Sequence, residues 1–379
     1  MPPQLKPLSE QVIVITGASS GVGLATARRA AEAGAGVVLA ARNETALRQV
    51  CEEINGAGGR AHAVAGDVGD PADVAKIARA AVARFGRFDT WINDAGVGLY
   101  GDLEATPPED HERLFRTNYF GVVNGSLEAV RQLKAQPGGG AIINVGSALS
   151  EVAMPQMGAY AASKQAVKGF TDALRLELRR ERAPISVTLI KPAGVASPFA
   201  EHARNLLDHA ARLPPPLYAP EVVADAILHA AQHPVRELLI GAGGGSFGLA
   251  GHTPRVAERV FGGLAPRLSR RKGPKPAADS LHAPGQDGRI SSEGARGRRF
   301  SVYTKMQEHP GLALGVGALV VAGLAAYFGR GAIARSARPV AARLARPMAH
   351  RALRHRPLQA MRLAATHPRQ AAKLAAALR

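Results

Sequence analysis

The sequence predicts an α/β protein built on a doubly wound, parallel, seven-stranded sheet. Short apolar runs alternate with longer amphipathic stretches through the first 250 of 379 residues. Strands that alternate with crossover helices give a parallel sheet covered on both faces. The first strand also runs through a glycine-rich turn straight into a helix, and no repeat of solenoid length interrupts the pattern.

Taken in order, the strands fall at 12–16, 36–41, 61–65, 88–93, 141–147, 185–190 and 237–240. Between them the apolar spacing predicts helices at 22–33, 44–56, 71–85, 111–136 and 159–182. This domain occupies 1–250. A Pro-, Gly-, Ser- and Arg-rich stretch at 251–309 has no sustained apolar period and reads as a flexible basic linker. An uncharged segment follows at 310–329, and a helical basic tail fills 330–379.

Charge divides the chain in the same way. Residues 1–266 carry 26 basic and 26 acidic side chains, whereas 267–379 carry 22 and 4, with no acidic residue after Glu308. The whole net charge of +18 therefore sits in the last third, which points that region, and not the sheet domain, at an anionic partner. Cys51 is the single cysteine, so an internal disulfide and a cysteine-based metal site are both excluded. The start lacks an apolar core of signal-peptide length, so the expected location is cytoplasmic.

The turn Thr16-Gly17-Ala18-Ser19-Ser20-Gly21-Val22-Gly23 lets a backbone approach a pyrophosphate at a helix N-terminus, the arrangement of a Rossmann-type nucleotide site. Glycines at 17, 21 and 23 differ from the spacing of the long-chain dinucleotide proteins. The second strand ends Ala40-Ala41-Arg42-Asn43, with a guanidinium where an acidic residue would accept the adenosine ribose hydroxyls. Arginine pairs well with a phosphate dianion, so NADP(H) is expected ahead of NAD(H). The other reading makes Arg42 a solvent-exposed loop residue. Asp67-Val68 follows the third strand, where a carboxylate can accept from an adenine amino group. Asn93-Asp94-Ala95-Gly96 ends the fourth and is expected to line the same crevice.

Tyr160 and Lys164 stand at i and i+4 and share one helix face, after Ser147 at the end of a strand. A phenol, an ammonium and a hydroxyl so placed suit proton transfer coupled to hydride transfer. Together with the glycine turn, Asn93-Asp94-Ala95-Gly96 and Asn118, these residues resemble the short-chain dehydrogenase/reductase family over 8–245. The resemblance implies that Tyr160 is the general acid in reduction and the general base in oxidation. It implies that Ser147 orients the substrate oxygen, and that Asn118 joins a proton relay through water. Lys164 is implied to bond the nicotinamide ribose and, through its charge, to lower a phenol pKa that is ordinarily about 10. The cofactor-binding set it implies is Gly17, Ser19, Ser20, Gly21, Val22, Gly23, Arg42, Asp67, Val68, Asn93, Ala95, Gly96, Tyr160, Lys164, Pro192, Val195 and Ser197.

Two positions depart from the family pattern. Asp94 replaces the second asparagine of the usual Asn-Asn-Ala-Gly, and Ala193 follows Pro192 where glycine is usual. The family's substrate lid corresponds to 199–220, which holds His202, His209, Leu206, Leu207, Leu213 and three prolines at 214–216. Those leucines suit a lipophilic carbonyl or alcohol, or pack the lid onto its own domain. The histidines lack a carboxylate or thiol cluster, so no metal is expected. Residues 310–329 are long enough as a helix to cross a bilayer, at about 1.5 Å per residue, although their Gly and Ala also suit a helix docked on protein. The basic tail is expected on an anionic membrane surface. The absence of aromatics after Phe328 disfavours nucleic acid. The family analogy also suggests a homo-oligomer. A reading of a different class is a non-catalytic scaffold acting through this tail.

Overall fold

The computed structural model describes residues 3–241, 279–285 and 287–308, and between them only 255, 258, 262–263, 269–271 and 275. The segments expected to be a spanning helix (310–329) and a basic tail (330–379) lie outside the described residues. Among the described residues no helix is long and apolar enough to cross a membrane.

The elements run β1 (Val12–Thr16), α1 (Gly21–Glu32), β2 (Gly36–Ala41), α2 (Glu44–Gly56), β3 (Arg60–Ala65), α3 (Pro71–Phe85), β4 (Thr90–Asn93) and β5 (Leu99–Tyr100). Next come α4 (Pro108–Phe115), α5 (Gly121–Ala135), β6 (Gly140–Val145), α6 (Gly158–Arg180), β7 (Ile185–Pro192), α7 (Phe199–His202), β8 (Arg204–Asn205) and β9 (Ala210–Ala211). The last are α8 (Pro220–Gln232), β10 (Glu237–Ile240), β11 (Arg270–Arg271) and α9 (Val302–Glu308). Seven parallel strands form the expected Rossmann-type sheet in the order β10-β7-β6-β4-β1-β2-β3. Chain order reverses between β1 and β4, which opens a crevice beyond their C-terminal ends.

Both faces are buried, as a parallel sheet requires. Ile13 and Ile15 of β1 pack with Leu24 and Ala27 of α1, Leu47 of α2 and Ile227 of α8. Val12 and Val14 face the other way, toward Ile77 of α3, Leu133 of α5 and Leu174 of α6. Local chemistry marks the helix ends. Asn43 accepts the Ala46 N–H at 3.1 Å to cap α2, and Asp70 accepts that of Ala72 at 2.8 Å ahead of Pro71 in α3.

The helix expected at 111–136 is instead two helices joined by a π-turn at Arg116–Phe120. The extra residue rotates the chain and carries Asn118 inward, which apolar periodicity cannot show. A buried polar network also links the strands to α5 and α6. Asn93 donates to Asn144 Oδ1 at 2.8 Å and to Ser126 Oγ at 3.1 Å, and accepts from Trp91 Nε1 at 2.8 Å.

The linker expected over 251–309 is docked on the sheet domain over 287–308. Gln307 donates to Leu239 O at 2.7 Å and accepts the Leu239 N–H at 3.0 Å, so α9 covers the outer edge of β10. Arg298 N–H donates to Leu217 O at 2.8 Å and its carbonyl accepts from Ala219 N–H. These contacts are mostly made by main-chain and polar groups, so no apolar period announces them.

Gly125 is the point where α5 meets this network. A Cβ there would stand 2.1 Å from Asn93 Oδ1 and 2.6 Å from Trp91 Nε1. Gly125→Ala should lower stability by about 1–3 kcal/mol, measured as a shifted denaturant midpoint for the full chain. An unchanged midpoint would mean that the network yields without cost.

Candidate active site

A cavity of about 440 Å³ runs along the crevice from Arg42 and Asp67 at one end to Ser147 and Tyr160 at the other. At its centre the glycine turn packs tightly on the end of β4. Gly17 has φ +73°, and a Cβ there would lie 2.8 Å from Ala95 Cα. At Gly23 a Cβ would meet Gly17 O at 2.3 Å, so this glycine serves the turn's own packing and does not line the cavity. Thr16 Oγ1 accepts the N–H groups of Asp94 and Ala95 at 3.2 and 3.3 Å, which fixes the two loops against each other.

Tyr160 and Lys164 project from α6, and Ser147 ends the run out of β6. Ser147 Oγ accepts the Leu149 N–H at 3.1 Å, which leaves its proton to hydrogen-bond the Tyr160 phenol. Lys164 Nζ donates to Val145 O at 2.8 Å and lies 5.9 Å from the centre of the Tyr160 ring. Phe199 of α7 packs edge-on against the same ring, with centroids 5.2 Å apart.

Burial dominates the electrostatics. It pushes the Tyr160 phenol well above its ordinary value, the Ser147 hydrogen bond opposes this, and the Asp94 carboxylate raises the phenol further. The expected lowering by Lys164 therefore does not prevail against burial. Burial also drives the Lys164 ammonium down to about 8, with Asp94 holding it up. Asp94 itself is raised to about 7 by burial, against the pull of Lys164 and a hydrogen bond from Gly23 N–H. Asp94 is thus the counter-charge of the site.

Most of the expected residues meet at the cavity: Gly17, Ser19, Ser20, Gly21, Val22, Arg42, Asp67, Val68, Ala95, Gly96, Ser147, Tyr160, Lys164, Pro192, Val195 and Ser197 line it. Asn93 does not. Its side chain is turned into the Asn144 network and is 3% exposed, because strand alternation sends it to the α5 face. Asn118 is also outside the cavity wall. Its amide is committed to Val97 N–H at 2.9 Å, Val97 O at 3.0 Å and Ser163 Oγ at 3.1 Å, so it braces the chain beside Gly96. Both amide hydrogens are taken, and the carbonyl oxygen keeps one acceptor site.

The Arg42 and Asp67 end of the cavity also differs from expectation. Asp67 binds Arg113 at 2.6 Å and the Gly69 N–H at 2.9 Å. Burial would raise its carboxyl, but these two partners outweigh it and hold the group below its usual range. Arg42 is gripped by the segment after the sheet. It donates to Leu281 O and Ala283 O, each at 3.3 Å, and to Ser280 O. Ser280, Pro284, Gly285 and Asp287 line the cavity, and their sequence carried no signal of it. Leu149, Met154, Met157 and Phe199 line the cavity together with Ser147 and Tyr160. In the lid, Leu213 faces the cavity while Leu207 packs with Leu99 and Tyr100, so the leucines divide between both expected roles.

The model of the short chain dehydrogenase family matches residues 11–207, more than half of the chain. The chain belongs to the short-chain dehydrogenase family. A Bacillus subtilis (strain 168) protein called uncharacterized oxidoreductase YxnA is 42% identical over 340 residues, covering 86% of this chain and 91% of that one. That match must extend beyond residue 241 into the segment that holds Arg42, since the first 241 residues alone fall short of 86% of the chain. Among solved structures, a short-chain dehydrogenase/reductase from Burkholderia phymatum in complex with NAD has a TM-score of 0.59 at 26% identity, covering 71% of this chain and 99% of its own. An alcohol dehydrogenase from Thermococcus sibiricus complexed with 5-hydroxy-NADP has a TM-score of 0.53 at 25% identity, covering 61% and 95%.

Removing the Asp94 charge withdraws support from the neighbouring ammonium. In Asp94→Asn the Lys164 titration should move below its value of about 8, read by NMR of ¹³C-labelled lysine. A midpoint that stays or rises would show that Asp94 does not act on Lys164.

Proposed function

We propose that the chain reduces a carbonyl or oxidises an alcohol with a nicotinamide dinucleotide, NADP(H) ahead of NAD(H), and that Tyr160 transfers the proton. The observation carrying this is the convergence of Ser147, Tyr160 and Lys164 on the cavity whose other wall is the glycine turn. The residues fit a dinucleotide. The glycine turn and the first residues of α1, Gly21 and Val22, line the cavity, where main-chain N–H groups at a helix N-terminus suit a phosphate. The cofactor supplies or accepts the hydride.

The chain's own side chains handle the proton. In reduction the neutral phenol, kept protonated by burial, gives its proton to the substrate oxygen. Ser147 holds that oxygen against the phenol. The Lys164 ammonium then favours the phenolate left behind, and its reach to Val145 O fixes it under the ring. Leu149, Met154, Met157, Phe199 and Leu213 make this end apolar, which supports a lipophilic substrate. Arg42 and the lack of a carboxylate at the end of β2 support the NADP(H) preference.

Two further parts rest on sequence and surface pattern. The uncharged 310–329 stretch and basic 330–379 tail support an anionic membrane surface as a partner of the chain. Leu127 and Leu176, exposed on α5 and α6, support a homo-oligomer through those helices.

NADPH consumption by the full chain, over aldehydes and ketones of increasing length, tests the activity. Tyr160→Phe should lower kcat/KM by about 10²–10⁴ while NADPH still binds; retained turnover would remove Tyr160 from the proton path. Arg42→Asp should reverse the NADPH/NADH preference, and unaltered discrimination would reject Arg42 as the 2′-phosphate receptor. For the tail, the full chain should sediment with membranes while a chain ending at Glu308 stays in the supernatant. Identical behaviour of the two would reject the membrane assignment.

A further inference from the structure

We propose that residues 279–285 and 287–292 form a strap that sets cofactor specificity by competing with the adenosine 2′-phosphate for Arg42. The inference rests on the reading of Arg42 given above and adds to it a selecting element from outside the sheet.

The strap is pinned at both ends. On the lid side, the Ser280 N–H donates to His202 O at 2.8 Å, Arg204 pairs with Asp279 at 3.1 Å, and His282 meets the buried Asp110 at 2.8 Å. Arg113 Nε donates to Leu281 O at 2.9 Å. On the glycine-turn side, the Gly288 N–H donates to Ser19 O at 2.8 Å and Arg289 O accepts the Gly21 N–H at 2.9 Å. Arg289 also pairs with Glu201 at 2.9 Å, and Ser292 bonds Ala196 O and Ser197 O. Between the pins, Ser280, Pro284, Gly285 and Asp287 face the cavity opposite Asp67 and the glycine turn. The strap therefore roofs the adenosine end and leaves space beneath it.

Arg42 is where the roof and the crevice share one group. Three strap carbonyls, of Ser280, Leu281 and Ala283, accept from its guanidinium. Asp287, on the same strap, adds a negative charge in the guanidinium's field. A ligand lacking a 2′-phosphate leaves this cage closed. A ligand carrying one must break bonds to the cage, because the fork of a guanidinium has a fixed number of donors. It must also come near the Asp287 carboxylate. A phosphate dianion is the stronger acceptor, so the exchange proceeds, but at a cost that NAD(H) does not meet. The strap thus shifts the crevice toward NAD(H) relative to Arg42 acting alone, and NADP(H) binding loosens it.

Affinities of the full-length protein for NADPH and NADH, by calorimetry, test this with Asp279→Ala and His282→Ala, which loosen the lid-side pins without touching the cavity wall. Each variant should tighten NADPH by about tenfold, the scale of one released charge-assisted hydrogen bond, and leave NADH within about twofold. In the unmutated protein, hydrogen exchange at Ser280 and Leu281 should be faster with NADPH bound than with NADH, a readout that needs no variant to fold. If Arg42→Ala weakens NADPH, yet the pin variants keep the NADPH/NADH ratio and exchange is equal with both cofactors, the strap inference falls and the Arg42 reading stands. If Arg42→Ala leaves NADPH affinity unchanged, both fall.

Discussion

The close approach of the glycine turn to the end of β4 is the constraint on which the site depends. Parallel strands β1 and β4 end side by side, and their chains must leave in opposite directions. Only glycine at 17 permits the positive φ and the contact with Ala95 that let them do so without a gap. Thr16 then ties both loops through one hydroxyl. The α1 N-terminus, the Asp94 carboxylate and the Gly96 backbone are all placed by that junction, and Lys164 reaches it from the far side of the crevice.

Charge in this site is arranged by burial more than by pairing. Removed from water, the phenol favours its neutral form and the ammonium loses basicity; Asp94 reinforces burial at the phenol and opposes it at the ammonium. In the proposed reaction this neutral phenol is the acid, and its use as a base in oxidation would draw on the positive charge of the oxidised nicotinamide. The departure at Asp94 thus has an electrostatic consequence, since an amide in its place would hold the loop without adding a charge.

The segment after the sheet gives the crevice a roof made of backbone. Its carbonyls act as neutral stand-ins on donors that otherwise suit anions: the Arg42 fork and the Gly21 N–H. Edge protection of β10 by Gln307 and Thr304 uses the same device, side chains and main chain closing polar groups without apolar burial. Polar docking of this kind holds the segment in place.

The sequence by itself determined the sheet, its seven strands, the glycine turn and the Ser147, Tyr160 and Lys164 set. Each of these is written in local periodicity or in fixed spacing along one element, such as the i, i+4 pair on α6. Only the tertiary structure decided the rest. The face to which Asn93 turns depends on strand register, and the inward swing of Asn118 depends on one extra residue in a helix. The partners of Arg42 lie more than 230 residues away and bind through carbonyl oxygens, which every residue possesses. Because such contacts are independent of side-chain identity, no pattern of residue types records them.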